Sequence, residues 1–345
     1  MALQPLKLAV LHYRPKGEEL DPAVTEVMEA CQELGHQVTK VPVDDRVQEI
    51  LRDVQKSKCD LVFNLCETFA EDYRMEVNIA ALMELARLKF TGSGTAGLLL
   101  AQDKVLTKQI LEFHEVRTAN FATFENDTFE TKGTLRFPLI VKPARSDASI
   151  GIGRHSVVQN WQELTERVRD IRDELQDEAL AEEFIEGREV YVGLVGPSVA
   201  PEILPIVEMD FGNWSSAEPR VSDREVKFAP EKEGSPRLVM ARDLSDELRA
   251  RIERAARLAY RALKIRDYAR IDFRIARTGE AYILEANPNP YLEKKGELAM
   301  AAADRGWSYT QLVERILESA AQRYHLNVAP SRRSRTAQAQ SQTGT

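Results

Sequence analysis

Residues 268–291 read YARIDFRIARTGEAYILEANPNPY, and this stretch predicts a β-hairpin. Apolar and charged side chains alternate along residues 269–275, which is the period of a strand with one buried face. Thr278-Gly279 then provides a two-residue turn, and residues 281–287 return as the second strand. The stretch therefore predicts two antiparallel strands that share a charged face.

The predicted register brings two carboxylates together on that charged face. A two-residue turn pairs Arg277 with Glu280, Asp272 with Glu285, and Arg270 with Asn287. Two directly opposed carboxylates repel each other, and a divalent cation between them removes the repulsion. Asp, Glu and Asn side chains supply the oxygen ligands that magnesium accepts. The hairpin therefore predicts a magnesium site, and the alternative is a surface hairpin with a solvated charged face.

Composition limits the classes of protein to which the chain can belong. Its 345 residues are 43% hydrophobic, which is enough for two or three domains with their own cores. A net charge of −8 argues against a nucleic-acid partner, because phosphates require a basic surface. Cys31, Cys59 and Cys66 lack metal-ligand spacing and a pairing pattern, which favours thiols in a reducing cytoplasm.

Neither a signal peptide nor a membrane span is predicted. The apolar run within residues 1–13 is too short for a signal peptide, and no stretch approaches the roughly 20 apolar residues of a membrane helix. The expectation is a soluble cytoplasmic protein without a membrane partner.

Strands alternate with helices in residues 1–101. The predicted strands are residues 7–12, 36–43 and 60–65, and the predicted helices begin at Asp21-Pro22, at Asp44 or Asp45, and near residue 72. Such alternation indicates parallel strands in a small open α/β sheet. Ligands of these sheets bind beyond the carboxyl ends of strands, which favours residues 12–19 and 64–72 as substrate-side loops. Ordinary polar connections are the alternative for both loops.

A phosphate-binding arrangement is predicted around Lys142. This lysine ends a strand that begins at Arg136, and it precedes a loop of small residues, 144–153, reading ARSDASIGIG. A lysine charge and bare backbone amides suit the phosphates of a nucleoside triphosphate. The chain contains neither GxxxxGKS/T nor GxGxxG, which excludes the phosphate-loop NTPases and argues against a dinucleotide-binding domain. A turn at residues 91–94 leads into a helix predicted to continue through residues 102–104.

Residues 182–189 allow two interpretations. Glu182, Phe184 and Ile185 stand where one strand ends, and Glu189 opens the next strand. The segment is either a plain hairpin with charged ends or a clamp around a nucleotide, with a carboxylate that accepts hydrogen bonds from ribose hydroxyls. Residues 144–153 and the long irregular segment 211–234 are predicted to form lids over that nucleotide.

In their order along the chain, these motifs resemble those of the ATP-grasp superfamily and, within it, the D-alanine–D-alanine ligases. The resemblance extends to about residue 324. The matching segments are FNL at 63–65, TGSGT at 91–95, QDK at 102–104 with Lys108, VKPARSDASIGIG at 141–153, EEFIEGREV at 182–190, and ARIDFR with YILEANPNP within 269–290. Each motif is moderately specific, whereas the ordered set is strongly specific.

The resemblance implies an α/β and α+β fold with a particular division into domains. A Rossmann-like domain, residues 1–101, would precede a two-lobed ATP-grasp fold. The central lobe would cover residues 102–190, and the C-terminal lobe with the metal site would cover residues 191–325. Residues 326–345 are expected to form a disordered tail.

The resemblance also implies roles for the matching residues. The implied nucleotide contacts are Lys104 and Lys142 at the phosphates, Ser149 and Gly151 in the loop over them, Glu182, Phe184 and Ile185 at the adenine, and Glu189 at the ribose. The implied metal ligands are Asp272, Glu285 and Asn287, for two Mg²⁺ ions with Mn²⁺ as an alternative. Arg270 would stabilise the oxyanion of a tetrahedral intermediate.

Enzymes of this kind join a carboxylate to an amine through an acyl phosphate. The implied partners are therefore small-molecule carboxylates and amines, either amino acids or peptides, and a homodimer is left open. A true D-alanine–D-alanine ligase, a carboxylate kinase or carboxylase, and a non-catalytic ATP-sensing scaffold are the alternatives.

The sequence departs from the family where the amino-acid substrates bind. Residues 12–21, HYRPKGEELD, lack the family's GGxSxEHEVS-like pattern, and Glu18 and Glu19 are the candidates to replace its ammonium-binding glutamate. Tyr291 stands where the family has a glycine, and Gly296 stands where it has a serine that binds a substrate carboxylate. The predicted ATP and metal sites therefore match the family, whereas the predicted substrate pocket does not.

Overall fold

The fold is described from a computed structural model. It describes residues 3–14, 17, 19–125, 128–131, 134–146, 151–213, 219, 221 and 235–326. Ser149, Glu18 and most of the two predicted lids, within residues 144–153 and 211–234, lie outside these residues. The predicted tail also lies outside them, apart from Leu326.

The first part of the chain is a parallel sheet with helices between its strands. Its elements are β1 (Lys7–Tyr13), α1 (Pro22–Glu33), β2 (Gln37–Val43), α2 (Val47–Ser57), β3 (Leu61–Asn64) and α3 (Glu76–Leu85). The strand order is β2-β1-β3, and both pairings are parallel. This confirms the open α/β sheet predicted from the alternation of strands and helices.

The two predicted helix caps of this sheet have different outcomes. Asp21 caps α1 as predicted, because its carboxylate accepts the backbone N–H of Ala23 at 2.8 Å and Pro22 follows it. The prediction that Asp44 or Asp45 caps α2 is wrong, since Arg46 occupies the N-cap position without a side-chain cap. Asp44 instead accepts the backbone N–H of Arg46 at 3.0 Å and also binds its guanidinium, so the helix begins later.

A second sheet is antiparallel and carries one long helix. Its elements are α4 (Thr95–Gln102), α5 (Lys104–Phe113), β4 (Phe121–Glu125), β5 (Thr128–Thr131), β6 (Leu139–Pro143), β7 (Val157–Val158), α6 (Trp161–Leu175) and β8 (Ala179–Glu183). The strand order is β5-β4-β8-β6-β7. The prediction of one helix through residues 102–104 is wrong, because Asp103 is extended and its carboxylate accepts the N–H groups of Val105 and Leu106. Lys104 is therefore the first residue of α5.

A third sheet contains the hairpin. Its elements are β9 (Gly187–Gly196), β10 (Glu202–Ile203), β11 (Val207–Asp210), β12 (Arg237–Met240), α7 (Asp246–Ala262), β13 (Asp267–Ala276), β14 (Ala281–Asn287), α8 (Glu297–Asp304) and α9 (Tyr309–Arg323). The order is β12-β11-β9-β13-β14, with β10 beside β9. The predicted boundary at residue 190 falls inside β9, and the division into domains stays a prediction.

The apolar cores show how the three sheets are joined. One cluster combines Leu8 of β1 and Val27 of α1 with Tyr268 of β13 and with Leu312 and Ile316 of α9, so the first and third sheets share a core. The second sheet has a separate cluster between β6 and α6. Because a buried leucine or isoleucine contributes about 1.5–3 kcal/mol, each cluster fixes its own elements firmly. The arrangement leaves a cleft between the second and third sheets.

Candidate active site

The hairpin forms, with the predicted pairs at its open end. Asp272 lies opposite Glu285, and Arg270 lies opposite Asn287, as predicted. The predicted two-residue turn is wrong, because the N–H of Ala276 donates to the carbonyl of Glu280 at 2.8 Å and encloses three residues. Gly279 closes that turn with φ of +82°, a conformation that favours glycine.

A β-bulge explains why the register is nevertheless as predicted. Phe273 pairs with Ile283, whereas its neighbour Asp272 pairs with Glu285, so Leu284 is an additional residue in β14. The bulge and the longer turn each shift the register by one residue in opposite directions. Bulges re-aim side chains beside active sites, and here both Leu284 and Glu285 line the cleft.

The cleft between the second and third sheets collects most of the predicted nucleotide residues. It encloses about 650 Å³, part of which is open to solvent. The lining residues are Ile140, Lys142, Ile152, Glu182, Glu183, Phe184, Ile185, Glu189, Val221, Asp272, Arg274, Leu284 and Glu285. Strand ends of both sheets thus bring five predicted nucleotide residues opposite two predicted metal ligands. Arg274, Leu284 and the aliphatic wall of Ile140 and Ile152 were not predicted.

Four predicted site residues are not part of the cleft lining. Lys104 is buried, and its Nζ donates to the carbonyl of Ser146 at 2.6 Å, where the loop 144–153 begins. Gly151 has φ of +68°, a backbone conformation that favours glycine. Arg270 and Asn287 belong to the hairpin but not to the cleft lining.

Glu182 is held between two lysines rather than open to solvent. Its carboxylate lies 3.0 Å from Lys108 Nζ and 2.7 Å from Lys142 Nζ, and all three side chains are buried. Burial acts to raise the pKa of Glu182, but the two ammonium groups hold that pKa below its usual value. Burial also lowers the pKa of Lys108, which the sequence had shown only as part of a motif. This Lys108–Glu182–Lys142 cluster fixes Lys142 at the floor of the cleft.

We expect Glu182→Gln to destabilise the protein by about 3–5 kcal/mol, because it leaves two buried ammonium groups without their carboxylate. Urea unfolding followed by circular dichroism measures this loss. The matched control is Glu186→Gln, since Glu186 pairs with Arg277 at 3.0 Å but is 59% exposed. The control should lose no more than about 1 kcal/mol. Equal losses in the two variants would contradict the structural role of the cluster.

Glu189 is oriented by a second buried ion pair. Its carboxylate lies 2.9 Å from Arg274 Nη2 and accepts a hydrogen bond from the Tyr191 hydroxyl at 2.9 Å. The Arg274 guanidinium also lies 5.9 Å from the centre of the Phe184 ring. Arg274 therefore joins the predicted ribose residue to the predicted adenine site. The alternation of apolar and charged residues along the strand placed Arg274 on the charged face. It did not indicate that Arg274 would contact Glu189 or Phe184.

Arg270 is bound at both ends by acidic groups. It donates to both carboxylate oxygens of Asp272, at 2.7 and 2.9 Å, and lies 3.4 Å from Glu297. Its guanidinium is also 5.2 Å from the centre of the Tyr191 ring. Burial acts to lower the pKa of Arg270, but Asp272 and Glu297 hold that pKa well above its usual value. The arginine is thus a fixed positive charge beside the carboxylate pair.

The donor set around the hairpin fits a hard divalent cation. Asp272 and Glu285 are directly opposed and both line the cleft. The side-chain carbonyl of Asn287 accepts the N–H of Asn289 at 3.1 Å, which orients it and leaves a second lone pair. Among the described residues, no group of three or more His, Cys, Asp or Glu side chains is arranged for a metal ion. The fit therefore depends on two carboxylates with one amide oxygen.

The loops predicted on the substrate side line one pocket, here called the front pocket. It encloses about 1780 Å³, again with a part open to solvent. Its lining residues are His12, Tyr13, Arg14, Glu19, Leu20, Asp21, Pro22, Ala23, Val24, Leu65, Glu67, Thr68, Glu71, Tyr73, Tyr291 and Leu292. Loops of the first sheet and the segment after the hairpin thus line the same pocket. The sequence predicted two of these loops because they follow the carboxyl ends of strands.

Comparison with known proteins identifies the family. The family described as "D-ala D-ala ligase C-terminus" matches residues 105–318. An uncharacterized protein, y4sG, of Sinorhizobium fredii is 32% identical over 324 residues, covering 91% of this chain and 90% of the relative. A D-alanine–D-alanine ligase of Carboxydothermus hydrogenoformans is 33% identical over 301 residues, covering 84% of this chain and 90% of the relative. The crystal structure of D-alanine–D-alanine ligase from Bacillus anthracis complexed with ATP gives a TM-score of 0.73 at 18% identity, covering 92% of this chain and 98% of that one.

The fold and these matches define an ATP-grasp enzyme that forms carbon–nitrogen bonds with ATP. Within that class, the chain belongs to the D-alanine–D-alanine ligase family. The predicted fold class, family and enzyme class are confirmed. Within the part of the chain that the structure describes, no helix is both long and apolar enough to cross a membrane.

Proposed function

We propose that the protein joins the carboxylate of one amino-acid or peptide substrate to the amine of another, with a substrate pocket that differs from that of a D-alanine ligase. The observation that carries this proposal is the central cleft. There the ends of β6, β8 and β9 bring Lys142, Glu182 and Glu189 opposite Asp272 and Glu285 of the hairpin. A ligase needs this juxtaposition of nucleotide and metal ligands.

Different residues of the cleft would bind the adenine, the ribose and the phosphates of the nucleotide. Phe184, Ile185 and the backbone beside Glu182 would receive the adenine, because this part of the cleft combines apolar walls with strand-end polar groups. Glu189 would accept from the ribose hydroxyls while Arg274 holds it in place. Lys142 and Lys104 would reach the phosphates from β6 and α5, and Ser149 and Gly151 would do so from the loop 144–153. The positive charges of the lysines would stabilise the bound triphosphate through hydrogen bonds to its phosphate oxygens.

Asp272, Glu285 and Asn287 would hold Mg²⁺. When bound, the metal ions neutralise the phosphate oxygens during transfer. Arg270 would stabilise the oxyanion that forms when the amine attacks, because its charge persists at any working pH. Its bidentate bond to Asp272 orients the guanidinium.

The reaction has two steps. An oxygen of the substrate carboxylate attacks the γ-phosphorus, and the bond from that phosphorus to the β-phosphate bridging oxygen breaks to give ADP and an acyl phosphate. The amine nitrogen then attacks the acyl carbon, phosphate leaves, and the nitrogen releases a proton. The protein contributes mainly by positioning these groups and excluding water.

The experiment combines phosphate release with identification of the product. Purified protein with ATP, Mg²⁺ and pooled amino acids and dipeptides should release phosphate and form an amide detectable by mass spectrometry. Acyl phosphate trapped by hydroxylamine without any amide would indicate a carboxylate kinase instead. ATP binding without turnover under every condition would indicate a scaffold and contradict the proposal.

The cellular location and the partners of the protein are also part of the proposal. We place it in the cytoplasm, which agrees with three cysteines that are all free thiols. Small-molecule carboxylates and amines would be its partners. The homodimer and the exchange of Mg²⁺ for Mn²⁺ stay predictions.

A further inference from the structure

The front pocket lies next to the hairpin along the chain. Asn287 accepts the N–H of Asn289, and Tyr291 follows at the pocket wall. Asn289 is buried and donates to the carbonyl of Cys66 at 3.3 Å and to Glu76 at 2.7 Å. The segment after the proposed metal ligands is therefore fixed against the loop after β3. The same hydrogen bonds anchor the start of the pocket wall to the hairpin.

Two buried polar atoms of the front pocket have no partner among the described residues. His12 is 1% exposed, and its Nε2 makes no hydrogen bond. Its Nδ1 lies 3.4 Å from the carbonyl of Tyr13, which places the ring proton on Nδ1 and leaves Nε2 as an acceptor. Burial lowers the pKa of His12, which keeps the ring neutral. The hydroxyl oxygen of Thr68 is the second such atom. Buried polar atoms of this kind require an explanation, and a ligand that donates hydrogen bonds supplies one.

The charge of the pocket is predominantly negative. Glu19, Asp21, Glu67 and Glu71 line it, against the single positive charge of Arg14 among the described lining residues. The same field acts on Tyr291, whose pKa is raised by burial and by its hydrogen bond to Asp21 at 2.6 Å. Asp21 also acts on Glu293, whose pKa is raised first by burial, then by nearby Glu26 and by Asp21. A cleft lined by one sign of charge concentrates ligands of the opposite sign.

A strained turn presents one of these carboxylates. Phe69 and Asp72 exchange backbone hydrogen bonds at 3.4 and 3.1 Å around a two-residue turn. Ala70 has φ of +52° and Glu71 has φ of +59°, a conformation that glycine and asparagine ordinarily supply. Strain of this kind is concentrated at functional sites. The turn places Glu71 at the pocket although the backbone conformation is unfavourable for a glutamate.

We propose that the front pocket selects an amino acid or dipeptide whose side chain carries a second positive charge. This proposal rests on the proposed ligase function, of which it names the substrate class. The donors of the cationic side chain meet Nε2 of His12 and the hydroxyl of Thr68, and the surrounding carboxylates neutralise its charge. An aliphatic side chain without a donor would leave the buried acceptor of His12 unpaired, and a neutral donor would leave the charge of the carboxylates unbalanced. Alanine would in addition occupy only a small part of the pocket.

Binding to the wild-type protein tests the proposal without requiring turnover. Calorimetric titrations in the presence of a non-hydrolysable ATP analogue and Mg²⁺ would compare lysine with norleucine and arginine with citrulline, each in both enantiomers. These pairs have similar length and the same α-ammonium group and differ in side-chain charge. We expect at least one cationic amino acid to bind about tenfold more tightly or better than its neutral match. Equal or weaker binding of every cationic member would overturn the proposal.

Substitutions within the front pocket test whether the cationic amino acid binds there. His12→Phe removes the buried acceptor, and Glu71→Gln removes a charge from an exposed position, so both should weaken binding of the cationic amino acid about tenfold. His12→Gln retains an acceptor and should lie between His12→Phe and the wild type. Glu174→Gln, an exposed change on α6, is the matched control and should bind normally. Circular dichroism checks that the variants fold, and unchanged binding by both His12→Phe and Glu71→Gln would overturn the proposal.

The outcome separates this inference from the proposed function. Tight binding of lysine or arginine with no ATP turnover would support the pocket assignment and contradict the ligase proposal. Turnover that norleucine or D-alanine supports as well as the cationic amino acids would support the ligase proposal and overturn the pocket assignment.

Discussion

Asp272→Asn and Glu285→Gln are expected to reduce ATP turnover by at least about 10³-fold, corresponding to ~4 kcal/mol of barrier. Each change removes one of the two carboxylates that line the cleft on opposed strands. The fold should persist, since the pairing of β13 with β14 depends on backbone hydrogen bonds. Coupled phosphate-release assays measure the loss, and circular dichroism measures the fold.

Comparison of Asp272→Asn with Glu285→Gln separates metal binding from the positioning of Arg270. Asp272→Asn also disturbs the bidentate bond to Arg270, whereas Glu285→Gln leaves that bond to Asp272 in place. We therefore expect Glu285→Gln to require a higher Mg²⁺ concentration for its residual activity. Glu280→Gln is the control, because Glu280 belongs to the same hairpin but pairs with Arg117 outside the cleft. Native turnover in either cleft variant would show that this carboxylate holds no catalytic metal.

The hairpin shows what local patterning can predict. Alternation along residues 269–275 determined which side chains share a face, because strand side chains alternate by geometry alone. The register of Asp272 and Glu285 was correct because the additional turn residue and the bulge at Leu284 offset each other. Nothing in the sequence near Leu284 marks a bulge, which arises from the pairing of β14 with β13.

The buried ion pairs are features that local sequence patterns did not predict. Lys108 follows Lys104 by one helical turn and so shares its face of α5, but its partner Glu182 lies on a strand far along the chain. The contact of Arg274 with Glu189 depends in the same way on the pairing of β13 with β9. Such pairs follow from sheet order, which a single sequence does not determine. The motifs therefore predicted which residues meet the cleft but not how those residues hold one another.

The activity with D-alanine is expected to be lower by several orders of magnitude than that of an efficient D-alanine–D-alanine ligase. Gly296 offers no hydroxyl to a substrate carboxylate, and a lost hydrogen bond to a charged group costs about 1.5–3 kcal/mol. It occupies the N-cap of α8 without a side-chain cap. Tyr291 adds a ring at the wall of the front pocket and is held there by Asp21. Together with the changed segment 12–21, these losses act on both substrates, and even partial additivity lowers kcat/KM greatly.

Reverse substitutions make this prediction specific to the two positions. A Cβ at Gly296 would meet the carbonyl oxygens of Glu293 at 3.3 Å and Tyr291 at 3.6 Å, so a serine needs only a small adjustment. Gly296→Ser combined with Tyr291→Gly should therefore raise D-alanine-dependent phosphate release about tenfold or more. Glu174→Gln, an exposed change on α6 away from the pocket, should leave that release unchanged. D-alanine turnover by the wild-type protein near the usual enzyme range of about 10 s⁻¹ would contradict the prediction and return the protein to the common activity of its family.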